Sequence, residues 1–187
     1  MNLTSCATVV SIGVFTLLGA GTAQAADKAA TAQTAEVLGK LHHSNQMEIA
    51  CGKLAQEKGQ AKDVKAFGKT LVTDHSAADK KVMALAKEEK IDLPADMPMP
   101  DKMDKLKAAS GADFDKVFAT DMLEDHKKDV AEAKAARDAT TDAKLKALLT
   151  STIPVLEKHR EIAQKLVDKL GPSASAGGAS VPPTAAK

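Results

Sequence analysis

The strongest constraint on the fold is a nearly unbroken run of helix-forming residues from position 30 to position 170. Ala, Leu, Lys, Glu and Asp dominate this run, and stretches of β-branched residues, which favour strands, are few. Single glycines and Pro154 also occur within the run, but the breaks between helices are expected at Gly59 and at the prolines within residues 94–100, and the last helix is expected to end at Gly171. The sequence therefore predicts an all-α fold built from long helices.

Four long helices are expected between these breaks, over residues 34–58, 61–90, 110–138 and 142–170, with a short helical piece within 101–109. Only a few residues join the first helix to the second and the third to the fourth, so each pair is expected to form an antiparallel hairpin. About 20 residues join the second and third helices, which is enough to cross the length of a bundle. The prediction is a four-helix bundle over residues 34–170 with a ferritin-like, up-down, crossover, down-up topology. A plain up-down-up-down bundle is the alternative.

One histidine falls within the apolar stripe of each of the last three long helices. Heptad spacing places His75 in the stripe of the second helix, His126 in that of the third and His159 in that of the fourth. The stripe of the first helix contains Asn45 and Glu48 instead. With a rise of about 1.5 Å per residue, these histidines and Glu48 lie within roughly one turn of the same level.

These positions support two interpretations. Imidazoles and a carboxylate are suitable ligands for a transition metal such as Zn, Fe or Cu, so Glu48, His75, His126 and His159 are the candidate metal ligands. Cys51, one helical turn from Glu48, is a further soft ligand. In the other interpretation the same side chains, with Asn45, form a buried polar layer that fixes the register of the bundle and binds nothing.

Neighbouring polar residues are expected to be exposed. His42 and His43 are predicted to lie on the surface of the first helix. Asp74, Asp125 and Glu157 flank the core histidines, but their positions in the helices point them away from the apolar stripes, towards solvent.

The termini predict an exported protein. Residues 1–25 carry no charged side chain, and an apolar run leads into Ala23-Gln24-Ala25, a typical signal-peptide cleavage site. We therefore expect a signal peptide over 1–25, a linker over 26–33, and a periplasmic or secreted bacterial protein with no transmembrane span after cleavage. A retained N-terminal anchor is the alternative. Residues 171–187 have the composition of a disordered tail.

Composition and motifs exclude several classes of function. The chain has Trp 0, Tyr 0 and Phe 4, so stacking platforms for single-stranded nucleic acid are not expected, and Lys+Arg 26 against Asp+Glu 25 leaves no basic surplus for a phosphate backbone. No nucleophile motif or glycine-rich phosphate loop indicates an enzyme. The mature chain would keep Cys51 as its single cysteine, which allows a disulfide-linked homodimer but no internal disulfide. No protein partner can be named.

Several motifs resemble a bacterial family of ferritin-like domains of unknown function, whose members are often labelled predicted outer-membrane or periplasmic proteins. The matching segments are Asn45-Gln46-Met47-Glu48-Ile49, Asp74-His75, Asp125-His126 and Ile153-Pro154-Val155-Leu156 with His159. The resemblance spans about residues 30–170 and implies a ferritin-like bundle, export and no assigned activity. Iron-oxidising ferritin-like proteins carry Glu-x-x-His pairs, which these histidines lack. Three hypotheses about function therefore stay open: a metal-binding bundle, a structural or envelope-stress interaction protein, and a redox enzyme.

Overall fold

The computed structural model describes residues 20–94 and 101–171, with side chains from 30 to 94 and from 103 to 171. This part of the chain is all-α, and its helices are α1 (Ala20–Lys58), α2 (Lys62–Glu88), α3 (Asp101–Ala108), α4 (Gly111–Ala139) and α5 (Ala143–Leu170). The predicted all-α bundle is confirmed. The predicted apolar signal segment up to residue 19 and the predicted tail beyond residue 171 lie outside the described residues.

The helix boundaries agree with the sequence prediction except at the start of α1. That helix begins at Ala20, although the sequence predicts a linker over 26–33 and a helix from 34. The alanine-rich stretch before residue 34 has high helix propensity and contains no glycine or proline after Gly21, so nothing in it stops the helix. The start of the last helix was predicted correctly: the Asp142 carboxylate caps α5 by accepting from the backbone N–H groups of Lys144 at 2.8 Å and Leu145 at 3.1 Å.

Contacts at the first end of the bundle fix the direction of α4. The Asp115 carboxylate, in the first turns of α4, accepts from the backbone N–H of Gln60 at 2.9 Å and of Ala61 at 2.7 Å. Both donors lie in the turn between α1 and α2. The start of α4 therefore lies beside the start of α2.

Contacts at the opposite end complete the topology. Lys144 at the start of α5 pairs with Glu88 at 2.8 Å and Glu89 at 2.6 Å at the end of α2, and the Thr34 hydroxyl donates to Asp142 at 3.2 Å. The helices α2 and α4 are therefore parallel, and the connection from residue 89 to 110 returns the chain to the first end. This is the predicted crossover between two hairpins, α1–α2 and α4–α5.

The hydrophobic core consists of two clusters separated along the bundle. The cluster near the α1–α2 turn includes Cys51, Phe67, Leu71, Phe118 and Met122. The cluster near the α4–α5 turn includes Leu38, Val82, Val130, Leu145 and Leu149. Buried polar residues occupy the level between them: Asn45, Glu48, His75, His126 and His159.

The α1–α2 hairpin is packed backbone to backbone at one point. A Cβ built on Gly52 would lie 2.6 Å from the carbonyl oxygen of Gly68, and a Cβ on Gly68 would lie 2.6 Å from the carbonyl oxygen of Gly52. Only glycine permits this approach, because each contact is to backbone that cannot rotate away.

We expect Gly52→Ala to destabilise the protein by about 1–3 kcal/mol, because the added methyl group forces α1 away from α2. The matched control is Gly39→Ala on the same helix, where an added Cβ meets nothing within 4 Å. That substitution should stabilise the protein by up to about 1 kcal/mol through helix propensity. Urea denaturation of both variants measures the difference, and equal effects would contradict the close packing.

Candidate metal centre

Three of the four predicted ligands lie together at the middle of the bundle. His75 of α2, His126 of α4 and His159 of α5 are 3%, 0% and 0% exposed. Their ring centroids are 5.7 Å apart for His75 and His126, and 5.2 Å apart for each of the other two pairs. Each imidazole offers one nitrogen, and these three nitrogens all lie within 4.8 Å of one another. We call these three residues the histidine cluster.

Two members of the histidine cluster are oriented by side chains of the α1–α2 hairpin. Nδ1 of His75 lies 2.9 Å from Oδ1 of Asn45, and Nε2 of His159 lies 2.9 Å from Oδ2 of Asp74. Both partners are oxygens that accept, so each of these ring nitrogens carries the proton and donates. In a neutral imidazole the other nitrogen then holds a lone pair, which places the lone pairs on Nε2 of His75 and Nδ1 of His159.

The third member is oriented by its own helix. Nδ1 of His126 donates to the backbone carbonyl of Met122 at 2.8 Å, so the lone pair of the neutral ring is on Nε2. All three imidazoles are thus held by one outward hydrogen bond each. This is the arrangement in which metal-bound histidines are usually fixed.

Glu48, the fourth predicted ligand, lies beside the histidine cluster and is not part of it. Its side chain is buried, and Oε1 lies 4.0 Å from Nδ1 of His126, the nitrogen that donates to Met122. The carboxylate thus places negative charge next to the outer side of His126. Cys51 is likewise outside the cluster; it packs in the apolar core at 1% exposure, so a disulfide to a second chain would require this region to open.

The electrostatic environment disfavours protonation of His75 and His159. Burial, and to a smaller extent the neighbouring His159 and His126, lower the pKa of His75 to about 2. Burial also lowers the pKa of His159, while its hydrogen bond to the Asp74 carboxylate opposes that shift. Neutral imidazole is the form that binds metals.

A match to a known family covers this whole arrangement. The family model described as "Domain of unknown function (DUF4142)" matches residues 19–166. The chain belongs to this DUF4142 family. All three members of the histidine cluster and their hydrogen-bond partners lie within the DUF4142 match. The search of curated proteins found no match, and the search of solved structures found none either.

Two predictions about the surroundings of the site were wrong. Asp74 was expected to be an exposed charge, yet it accepts from the buried His159 of another helix and is 33% exposed. His42 was expected on the surface, yet its side chain is 14% exposed and its Nδ1 lies 2.7 Å from Oδ1 of the buried Asp79. Gln46 donates to the other oxygen of Asp79 at 2.6 Å, so this group links α1 to α2 away from the histidine cluster. Both contacts join different helices, which periodicity along one helix does not reveal.

Glu157, which was expected to be exposed to solvent, is partly exposed. It pairs with Lys134 at 2.7 Å, with both side chains partly exposed. Within the described part of the DUF4142 chain, no helix is both long enough and apolar enough to cross a membrane.

Because the pKa of His75 is lowered in the folded protein, we expect the free energy of unfolding to decrease as the pH is lowered. Above about pH 6.5 the residue is neutral in both folded and unfolded chains; below it the unfolded chain binds a proton that the folded chain excludes until about pH 2. We expect metal-free protein to lose about 1.4 kcal/mol of unfolding free energy per pH unit below 6.5 from this residue. Urea denaturation between pH 8 and 5 measures the slope.

The matched variants are His75→Gln, which should flatten this slope, and His43→Gln, which should leave it unchanged. Asp129 acts in the opposite sense, because burial raises its pKa to about 6. The comparison is therefore made between each variant and the wild type, which share Asp129. A His75→Gln slope equal to that of the wild type would contradict the prediction.

Proposed function

We propose that this DUF4142 domain binds one divalent transition metal ion, with zinc as the reference ion, through Nε2 of His75, Nε2 of His126 and Nδ1 of His159. The observation that carries the proposal is that all three buried imidazoles donate outward, while three ring nitrogens lie within 4.8 Å of one another. Because the other nitrogen of each ring is engaged in its outward hydrogen bond, we assign the three lone-pair nitrogens to this small volume.

A polar packing layer accounts less well for this arrangement. Hydrogen bonding within such a layer needs donors facing acceptors, and three acceptor nitrogens cannot bond to one another. A bound cation satisfies all three lone pairs at once. Zinc at about 2.0–2.1 Å from each nitrogen would bring the nitrogens to about 3.3 Å from each other, so the rings would turn slightly inward on binding.

The charge around the histidine cluster also favours a cation. Neutral imidazoles do not compensate a divalent charge, and a buried uncompensated charge is strongly unfavourable. Glu48 is buried beside His126, and Asp74 contacts His159 directly. Two carboxylates adjacent to the ligands can therefore balance the ion. Three protein ligands leave a fourth position for another group.

The crossover connectivity supports our further proposal that the domain is related to ferritin-like bundles. Those that oxidise iron carry a glutamate three residues before the ligand histidine. Here Val72, Leu123 and Leu156 occupy those positions, before His75, His126 and His159 respectively. The proposed centre is therefore mononuclear, and its role is binding or sensing without catalysis.

The metal proposal predicts near-stoichiometric zinc in protein purified without an affinity tag and supplied with zinc. Binding to the folded state alone stabilises it by about 2.7 kcal/mol at a hundredfold excess over Kd, so chelator should lower Tm. His75→Gln should abolish stoichiometric zinc and the chelator effect, whereas His43→Gln should retain both. Elemental analysis and thermal unfolding provide the measurements. A wild-type protein that stays metal-free and gains no stability from Zn, Cu or Fe would refute the proposal and leave the polar layer.

A substitution of Asp74, the hydrogen-bond partner of His159, tests zinc binding without changing a proposed ligand. Asp74→Asn removes the carboxylate that orients His159 and should weaken zinc affinity by about 10–100-fold. The matched control is Glu157→Gln on α5, whose carboxylate pairs with Lys134 and does not contact the histidine cluster. Equal affinities for the two variants would show that Asp74 has no role in binding.

We also propose that the domain is exported to the bacterial periplasm or beyond. The proposal is supported by the charge-free segment over 1–25 and by the start of the family match at residue 19, which leaves most of that segment outside the domain. N-terminal sequencing of protein recovered from the periplasmic fraction should begin at Ala26. Cytoplasmic protein that retains residues 1–25 would exclude export.

A further inference from the structure

A cavity of about 300 Å³ lies between α1, α4 and α5 and reaches the histidine cluster from one side. Apolar side chains form most of its wall: Val37, Leu41, Ala133, Ala136, Leu149 and Leu156. Its volume is at the lower end of the range for small-molecule sites, about 300–1,000 Å³. We call it the α1/α4/α5 cavity.

The cavity lies where the two hairpins meet, and small residues on α4 leave it open. Ala133 and Ala136 line it on α4, opposite the Val37 and Leu41 side of α1. Within the α1–α2 hairpin the packing is much closer, as at Gly52, where the backbones of the two helices almost touch. The cavity is partly open to solvent, and the apolar side chains along it forgo packing contacts that a closed interior would provide.

One polar side chain with an unused donor lines the inner part of the cavity. Asn45 is 6% exposed, and its Oδ1 accepts from Nδ1 of His75. Its Nδ2 amide group can only donate, and it makes no hydrogen bond to any residue that the structure describes. Because Asn45 lines the cavity, this amide can donate to a ligand that offers an acceptor there, and such a hydrogen bond would favour that ligand over one without an acceptor.

The charges at the rim of the cavity disfavour an anionic ligand. Asp129 and Glu132 both line it, and the Ser44 hydroxyl donates to Asp129 at 3.0 Å. Lys40, the cation of this wall, is paired with Glu36 at 2.6 Å. A carboxylate or phosphate in the cavity would therefore face two acidic side chains and an already engaged lysine.

We propose that the α1/α4/α5 cavity binds a small, uncharged, mostly apolar molecule that carries one carbonyl oxygen, with that oxygen accepting from Nδ2 of Asn45. The apolar body of the ligand packs against the leucine, valine and alanine wall. His75, a proposed metal ligand, also lines the cavity, but Asn45 contacts it at Nδ1 and not at Nε2, the nitrogen proposed to bind the metal.

Three probes of similar size test this specificity in the wild-type protein: acetophenone, α-methylstyrene, which replaces the carbonyl by a methylene group, and benzoate, which is charged. Titrations followed by ¹H–¹⁵N NMR should shift the Asn45 side-chain amide with acetophenone. Acetophenone should bind about tenfold more tightly than α-methylstyrene, the value expected for one hydrogen bond. Benzoate should bind most weakly.

A cavity-filling variant locates the site. Ala136→Leu should abolish acetophenone binding, whereas Ala131→Leu, at an exposed position of the same helix, should leave it intact. Intermolecular NOEs between the acetophenone methyl group and Leu149 in the wild type give the same information without a substitution, should Ala136→Leu fail to fold. Equal affinity for acetophenone and α-methylstyrene, binding retained in folded Ala136→Leu, or no binding up to the solubility limit would overturn the proposal.

The acetophenone titrations are repeated in the presence of zinc and in the presence of chelator. This distinguishes a failure of the cavity proposal from a failure of the metal proposal. Acetophenone binding in both states supports the cavity site, whatever the zinc content. Zinc binding without acetophenone binding would overturn the cavity proposal and leave the metal proposal standing.

Discussion

Three imidazoles buried at one level of the bundle each need a hydrogen-bond partner, and much of the structure serves that requirement. Burial lowers the pKa of His75 to about 2, so protonation inside the core is strongly opposed. Asn45, Asp74 and the Met122 carbonyl each take one ring N–H outward. The apolar core is divided into two clusters because this polar level lies between them.

The crossover connection is what brings the imidazoles to that level. Because it returns the chain to the first end of the bundle, α2 and α4 run in the same direction, and His75 and His126 lie at similar distances from the start of their helices. His159 completes the histidine cluster from α5, whose start is tied to the end of α2 through Lys144. Sequence-distant residues thus converge through topology and without any local motif.

Sequence reasoning was sufficient for features that repeat along a single helix. Helix propensity with glycine and proline breaks predicted the hairpins, and heptad spacing placed His75, His126 and His159 in the core. It failed where the outcome depends on the rotation of one helix against another: the contact of Asp74 with His159 and the pairing of His42 with Asp79. The early start of α1 was missed because no residue in that stretch marks a boundary.

The close approach of Gly52 and Gly68 makes the first hairpin a rigid unit, while the two hairpins meet around a cavity. The histidine cluster is shared across that boundary, with His75 on one hairpin and His126 and His159 on the other. Any occupant bound by all three rings therefore joins the two hairpins, and its binding is thermodynamically linked to their docking. Occupancy would therefore stiffen the bundle across the boundary between the two hairpins.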